Sequence, residues 1–398
     1  MLTTLKNRDF RIYWVGALIS FGGTWLQITA FSWLVRSLTP SPLMLGMVAF
    51  CSSLPMFAFS LFCGVFADRL DKRKAILWTQ AALAVLAALL AYLVISETVQ
   101  LAYVFVIAFA SGTAAALDAP LRQSIVYDLV GKEDLTAAIA LNSVGFNSAR
   151  IAGPAIAGIL IAKVGTGICF LINSISFLAV ILAMLLVRVD TRPVQEAAAS
   201  VWSDFLSGVW YMKSHRTILG LMLMIAAPSL FALPYQTLLP IFAKDILGVG
   251  AASFGAMLSA TGIGALTGAL VLTTLGKIIG KGRTMLIAAL LLGTSLSGLA
   301  FTTSFAVALG FLGCIGFGTV IYIASTNSLL QSLSSNEMRG RVVGAYIFMF
   351  LGLSPIGNLI VGGLAQGISP QWAVATGGFL VSMMAAGIWL RRPDIKLL

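Results

Sequence analysis

Charge is what this sequence has least of. Only 10% of its 398 residues are Asp, Glu, Lys or Arg, whereas about 25% is usual for soluble domains. Hydrophobic residues make up 59% of the chain, and the mean hydropathy is +0.99. So few charged residues cannot cover a soluble core with polar surface, and the composition therefore excludes an ordinary soluble protein.

Cysteine and histidine are scarce as well. The chain has 4 cysteines and 1 histidine, and the cysteines stand singly in apolar segments, at Cys51, Cys63, Cys169 and Cys314. This spacing suits neither a zinc site nor a disulfide framework, so we interpret the cysteines as packing residues. No metal and no other cofactor is expected.

The scarcity of charge takes the form of long uninterrupted runs. A helix needs about 20 apolar residues to cross a bilayer. The runs without a charged residue or histidine are 12–35, 37–67, 75–96, 98–117, 164–187, 217–243, 246–276, 284–336 and 342–390. The last two runs are long enough for two spans each, and 135–162 is a further span that only Arg150 interrupts. We therefore predict twelve transmembrane helices.

The predicted fold is an all-α membrane bundle. Only helices and closed barrels satisfy their backbone amides in lipid, and these runs are too long and uniform for barrel strands. We expect a six-helix N-terminal half at 1–188, a cytoplasmic linker at 189–215 and a six-helix C-terminal half at 216–398. The linker is either a plain connection or includes an amphipathic helix with Trp202 and Trp210 as interfacial anchors.

The formal net charge of +11 is unevenly distributed. With the amino terminus inside, the predicted outer loops contain only Arg36, Lys163 and Lys244 among the 25 Lys and Arg residues. The positive-inside rule then places both termini in the cytoplasm and the protein, as a multi-pass chain, in the inner (cytoplasmic) membrane. The first apolar segment is long enough to remain as a span, so no cleaved signal peptide is expected. Nucleic acid is not an expected partner, because no soluble, aromatic-interleaved domain accompanies the basic residues.

The densest charge lies in 64–74, which we call the cytoplasmic hinge. It resembles the loop between spans two and three of the major facilitator superfamily, where Gly is followed four and five residues later by Asp-Arg and then by a basic pair. The matching residues are Gly64, Asp68, Arg69, Lys72 and Arg73. Asp71 stands where the family usually has a second Gly. The resemblance covers essentially the whole chain and implies two six-helix halves with a central transport site.

Span five carries a second resemblance. Its small residues and proline are similar to the glycine and proline motif of antiporters in this superfamily, with Ala in place of two glycines; they are Ala149, Gly153, Pro154, Ala157 and Gly158. Small residues allow close helix approach, and Pro154 permits a bend. Ordinary small-residue packing is the alternative interpretation.

Two further segments narrow the resemblance. Residues 7–11 with Trp14, and 118–123 with Asp134 and Leu135, are similar to the branch that contains bacterial enterobactin exporters and macrolide efflux proteins. That branch implies outward export.

The hinge and span four together form a predicted conformational switch, made of Gly64, Asp68, Arg69, Lys72, Arg73, Asp118 and Arg122. Asp68 could meet Arg122 at the end of span four, or a helix amino terminus, and so stabilise one conformation. Alternatively, Asp118 and Arg122 could pair with each other, because they are four residues apart on one helix.

Arg150 is the predicted mid-membrane charge. Such a charge costs several kcal/mol, about 2.5 or more, unless it faces a cavity or a partner. It either holds an anionic part of the substrate or is a structural residue bonded to backbone carbonyls.

The superfamily resemblance implies that spans one, four, seven and ten line the substrate cavity. The cavity residues predicted from these spans and from span five are Thr24, Trp25, Gln27, Phe31, Asn147, Arg150, Tyr235, Gln236, Tyr322 and Asn327. A few polar groups in an apolar, aromatic wall suit an amphipathic organic compound better than a sugar or an ion.

These features together predict a secondary active exporter of a small drug or siderophore-like compound, acting by alternating access and coupled to protons. Coupling could run through Asp118 or Asp9, or the substrate itself could carry the exchanged charge. The expected partners are the substrate, protons and membrane lipid, and the protein is expected to be a monomer. An enzyme is not expected, because no span contains a His or a pair of carboxylates. A lipid flippase or an importer on the same scaffold is the open alternative.

Overall fold

The computed structural model describes residues 4–189, 210–278, 280–391 and 394, and within these ranges it describes only the backbone at 59–69, 273 and 275–277. Most of the predicted linker, 190–209, therefore lies outside the described residues, and Trp202 with it. Trp210 is described and exposed, and the amphipathic helix considered for the linker stays a prediction.

The described residues are almost entirely helical and contain no strand. The α-helices are α1 (Arg8–Leu38), α2 (Pro42–Arg69), α3 (Lys72–Ile95), α4 (Leu101–Val164), α5 (Thr166–Leu186), α6 (Arg216–Phe231), α7 (Tyr235–Ile241), α8 (Ala251–Ile278), α9 (Lys281–Phe301), α10 (Phe305–Leu333), α11 (Arg339–Gly352), α12 (Ser354–Gly367) and α13 (Pro370–Arg391). A 3-10 turn at Thr4–Lys6 precedes α1, and a π-helical turn at Phe242–Ile246 continues α7.

The helices have the length and composition of membrane spans. In the part of the chain that the structure describes, 10 helices are long and apolar enough to cross a bilayer, and residues Pro42–Ala58 of α2 form a shorter apolar helix. One of the 10 is α4, whose 64 residues contain two of the predicted spans. The prediction of an all-α, multi-pass membrane protein is confirmed, while the number twelve itself stays a prediction.

A glycine breaks α4 between its two spans. Gly131 has φ 69° and ψ −176°, a conformation that is essentially restricted to glycine. Gly165, between α4 and α5, and Gly280, between α8 and α9, have similar values, with φ 86° at each. These turns let consecutive spans reverse direction through very short connections.

The start of α3 explains the unusual residue in the hinge. Asp71 is the N-cap of α3, and its side chain accepts a hydrogen bond from the backbone N–H of Lys74 at 3.1 Å. Its φ of −63° is in the extended region, so it does not need a glycine's conformational freedom. An Asp at this position stabilises the helix start, which accounts for the departure from the family pattern.

The start of α1 is capped in a similar way. The Asn7 side chain accepts hydrogen bonds from the backbone N–H groups of Asp9 and Phe10, at 3.0 and 3.1 Å. Its amide also donates to the carbonyl of Leu129 at 2.9 Å, shortly before the Gly131 break. Asn7 therefore ties the beginning of the first helix to the end of the first span of α4.

The chain forms two compact units. Unit 1 comprises Met1–Thr39, Cys51–Ala198 and Gly250–Ser259, and unit 2 comprises Pro40–Phe50, Ala199–Val249 and Ala260–Leu398. The first residues of α2 thus belong to unit 2, and the first residues of α8 belong to unit 1. The boundaries expected from the sequence, 1–188, 189–215 and 216–398, stay a prediction.

Glycines hold these short segments against their units. In unit 2, a Cβ on Gly362 would come 3.0 Å from the Cα of Gly46. In unit 1, a Cβ on Gly158 would come 3.0 Å from the Cα of Ala252. At both contacts the backbones approach so closely that only small residues fit.

Candidate functional site

A buried ion pair lies inside unit 1. Asp118 on α4 is only 6% exposed. One of its carboxylate oxygens accepts hydrogen bonds from the Thr79 hydroxyl at 2.7 Å and the Gln80 amide at 2.9 Å, both on α3. The other oxygen lies 3.9 Å from Nη1 of Arg122, one turn further along α4. The considered pairing of Asp118 with Arg122 within α4 is therefore present.

Arg122 also connects α4 to α1. Its Nη1 donates to the Ser20 hydroxyl at 3.4 Å, and the Tyr13 hydroxyl donates to its backbone carbonyl at 3.3 Å. The guanidinium carbon lies 5.0 Å from the centre of the Phe21 ring, a cation–π contact. Its second terminal nitrogen, Nη2, is buried and has no hydrogen-bond partner among the described residues.

A second ion pair lies further along α4. Nζ of Lys72 donates to the Asp128 carboxylate at 2.7 Å, and both side chains are largely buried. Lys72 was predicted from the sequence as a switch residue, whereas Asp128 was not. The sequence does contain a signal for this pair, because Asp128 follows the predicted fourth span and is expected on the same side of the membrane as the hinge.

Arg73 has a different partner. Its guanidinium donates to the carbonyls of Met184 and Leu185, at 2.7 and 2.9 Å. These carbonyls belong to the last turn of α5, where backbone acceptors are unpaired and the helix dipole favours a cation. Arg73 therefore caps α5 from α3.

The remaining switch residues are described only in part. The backbones of Gly64, Asp68 and Arg69 lie in α2, but their side chains lie outside the described residues. The predicted contact between Asp68 and Arg122 therefore stays a prediction.

A network of amides joins α1 to α5. The Gln27 side-chain carbonyl accepts a hydrogen bond from the amide of Asn173 at 2.7 Å, and the Ser176 hydroxyl donates to the Asn173 side-chain carbonyl at 2.9 Å. Both α5 side chains pack directly against Gly23. The sequence interpretation found Gln27 but not its partners, which sit in an otherwise apolar span.

The other predicted residues of span one surround this network. Thr24 is half-buried, and Phe31 packs against an apolar cluster that includes Leu26 and Ala30. Trp25 lies edge-on to Phe146 of α4, with ring centres 5.7 Å apart. Its indole nitrogen is buried and has no partner among the described residues.

The predicted residues of span five lie on α4. Arg150 is half-buried, and the Asn147 amide donates to the carbonyl of Ser143 at 2.8 Å, within its own helix. Gly153 contacts Trp25, because a Cβ at this glycine would lie 2.6 Å from the Cβ of Trp25.

Pro154 and Gly158 continue this small-residue face. A Cβ on Gly255 of α8 would come 3.0 Å from the Cα of Gly158, and it would also meet the carbonyl of Pro154. The span-five motif thus permits close packing within unit 1, and any part it plays in antiport stays a prediction.

The predicted cavity residues of the second half lie in unit 2. Tyr235 begins α7 after a break in span seven and is 2% exposed, while its neighbour Gln236 is exposed. Tyr322 of α10 is 1% exposed, and its hydroxyl has no hydrogen-bond partner among the described residues. Asn327 accepts a hydrogen bond from the Gln331 amide at 3.1 Å. The structure therefore brings Trp25 of span one against α4 and Gln27 against α5, and it places the residues of spans seven and ten in unit 2.

Apolar helices of this length, with ion pairs and amides buried between them, define an integral membrane protein whose interior is polar at selected points. No group of three or more His, Cys, Asp and Glu side chains that could hold a metal occurs in the described parts of the chain. The chain matches the profile of the transmembrane secretion effector family over residues 1–396 and belongs to this family of the major facilitator superfamily. This match confirms the superfamily expected from the hinge. As a member of this family, the protein is a transporter and not an enzyme.

Characterised relatives cover most of the chain. It is 27% identical to the staphyloferrin A transporter of Staphylococcus aureus over 88% of each chain, and 26% identical to the multidrug efflux pump Tap of Mycolicibacterium fortuitum over 92% of this chain and 91% of Tap. It is 24% identical to the enterobactin exporter EntS of Shigella flexneri over 95% of this chain and 90% of EntS.

Solved structures show the same fold. A variant of the nucleoside transporter NupG superimposes with a TM-score of 0.76 at 15% identity, covering 96% of this chain and 99% of NupG. At this identity the likeness concerns the fold alone.

Proposed function

We propose that the protein is a secondary active exporter of a small amphipathic organic compound, either a drug or a siderophore-like molecule. In this proposal it works by alternating access between its two six-helix halves, and protons drive the exchange. The relatives named as siderophore transporters and multidrug efflux pumps support the substrate class and the outward direction.

The observation that carries the proposal is the carboxylate of Asp118. An acid that is 6% exposed inside a membrane bundle is costly and is by default a functional residue. Its carboxylate accepts hydrogen bonds from Thr79 and Gln80 of α3 and lies beside the guanidinium of Arg122. Protonation would remove that charge and weaken these bonds, so proton binding would change how α3 and α4 are held together.

The test compares Asp118→Asn with the wild type in proteoliposomes. We expect Asp118→Asn to lose uptake driven by a pH gradient while it retains exchange of substrate for substrate, because exchange needs no net proton movement. The compounds are lipophilic cations, macrolides and a catecholate siderophore. Glu133→Gln is the matched control, because Glu133 is an exposed acid close to the Gly131 break. Gradient-driven uptake by Asp118→Asn at the wild-type rate would refute the role of Asp118 in coupling.

We also propose that Arg150, Asn147, Gln27 and Tyr322 contact the substrate. Arg150→Ala should reduce transport of anionic compounds at least tenfold and leave lipophilic cations nearly unchanged, because only the anionic compounds need a positive charge at the site. Equal losses for both classes of compound would assign Arg150 a structural role.

A further inference from the structure

We infer that unit 1 contains a binding site for flat aromatic compounds that carry carbonyl or hydroxyl oxygens. This inference rests on the proposed export function and specifies its substrate class. The site is the aromatic cluster made of Phe21 and Trp25 on α1 and Phe146 on α4, together with the guanidinium of Arg122.

Three rings form a continuous apolar surface in this cluster. Phe146 lies edge-on to both rings of α1, with centre-to-centre distances of 5.6 Å to Phe21 and 5.7 Å to Trp25. The Arg122 guanidinium extends the surface, because it lies 5.0 Å from the Phe21 ring. Edge-to-face rings and a stacked guanidinium are well suited to hold another flat ring.

Two buried hydrogen-bond donors belong to the cluster. They are the indole N–H of Trp25 and the Nη2 of Arg122, and each is buried without a partner among the described residues. Buried donors nearly always find partners, since an unmade bond costs free energy in a dry interior. A ligand oxygen at each position would satisfy both groups.

The charge of the cluster determines the kind of oxygen. Arg122 lies 3.9 Å from the Asp118 carboxylate, so the positive charge is already balanced within the cluster. An uncharged carbonyl or hydroxyl oxygen accepts from these donors without adding a second negative charge beside Asp118. Carboxylates are therefore disfavoured relative to ketones, quinones and phenols.

The cluster also has a route to the surface of unit 1. Phe146 is 42% exposed, so its ring reaches the surface of the unit. On α4, Gly145 precedes Phe146 and lies against Leu18, and Gly153 lies against Trp25. Movement of the Phe146 ring would uncover the parts of the Phe21 and Trp25 rings that it contacts.

The experiment measures binding of two fluorescent probes to the purified full-length protein. Daunorubicin is a flat anthraquinone with carbonyl and hydroxyl oxygens, whereas ethidium is a flat aromatic cation without oxygen. The variant is Trp25→Phe, which keeps an aromatic ring and removes the unpaired N–H. The matched control is Trp33→Phe, the same change on α1, where Trp33 contacts Phe254 instead.

We expect Trp25→Phe to weaken daunorubicin binding about tenfold, the effect of one hydrogen bond, and to leave ethidium binding unchanged. Trp33→Phe should change neither. Three results would each overturn the inference. Trp25→Phe could weaken the binding of both probes equally, it could leave daunorubicin binding unchanged, or the wild type could fail to bind daunorubicin.

Transport of the two probes separates this inference from the proposed function. If the wild-type protein transports ethidium when a pH gradient is applied, but Trp25→Phe does not change daunorubicin binding, the export proposal stands and the binding site is refuted. Wild-type protein that binds daunorubicin with the expected selectivity but moves neither probe would retain the site and contradict export.

Discussion

At the residue scale, buried ion pairs join the helices of unit 1. Lys72 and Asp128 form a close ion pair, and each side chain is less than 20% exposed, at 11% and 19%. Removing one partner leaves the other charge buried and unpaired, whereas removing both can be nearly neutral. The pair therefore links α3 to α4 more strongly than surface charges do.

We predict that Asp128→Asn lowers the free energy of unfolding by about 2 kcal/mol, measured by denaturant titration in detergent micelles. Glu133→Gln, at an exposed position, should change it by less than about 0.5 kcal/mol. The double variant Lys72→Met with Asp128→Leu should recover most of the loss. A double variant as unstable as Asp128→Asn would show that Asp128 acts through another contact.

At the scale of helices, the joints between spans depend on backbone conformation. A Cβ on Gly131 would meet no atom within 4 Å, so space does not limit this position. The backbone conformation limits the position instead, because a φ of 69° with a ψ of −176° suits only glycine. The turn that separates the two spans of α4 therefore requires Gly131.

Gly131→Ala is expected to destabilise the protein by about 1–3 kcal/mol, the cost of a residue in that conformation. Gly340→Ala is the control. Gly340 lies in a helix, and a Cβ added there would also meet no atom within 4 Å. It should be neutral or stabilise by up to about 1 kcal/mol. Equal unfolding free energies for the two variants would contradict the role of the Gly131 turn.

The start of α1 offers a second test at this scale. Asn7 both caps α1 and donates to the carbonyl of Leu129. Asn7→Asp keeps the cap but cannot donate, and Asn7→Ala loses both. We predict a loss of unfolding free energy of about 1 kcal/mol for Asp and about 2 kcal/mol for Ala. A loss in Asn7→Asp close to zero would show that the bond to Leu129 contributes nothing.

At the scale of the whole molecule, the distribution of charge predicts orientation. The few basic residues of the predicted outer loops contrast with those of the hinge and the other inner loops. We propose that both termini are cytoplasmic, that the protein lies in the inner membrane, and that it works as a monomer surrounded by lipid.

Labelling of single cysteines checks this orientation. In a variant without the native cysteines, a cysteine at Lys163 or Lys244 should react with an impermeant maleimide in intact cells. A cysteine at Glu133 should react only after the membrane is opened. Labelling of position 133 in intact cells would reverse the proposed topology.

The sequence by itself determined the class of the protein and the approximate position of its spans. Length and apolarity of a run are sufficient for this, because a bilayer accepts little else than a helix of about 20 residues. The hinge motif also identified the superfamily from a few residues at fixed spacing. Asp118 and Arg122 could be named in advance, since they follow the fourth uncharged run and are one helical turn apart.

Only the tertiary structure decided which groups meet. Asp128 pairs with Lys72 across 56 residues, and Asn173 reaches Gln27 across 146. Spacing along a helix predicts neighbours three or four residues away, but it contains no information about which faces of distant helices pack together. The same limit explains why the buried donors of Trp25 and Arg122, which have no hydrogen-bond partner among the described residues, were found only once α1 and α4 had been placed side by side.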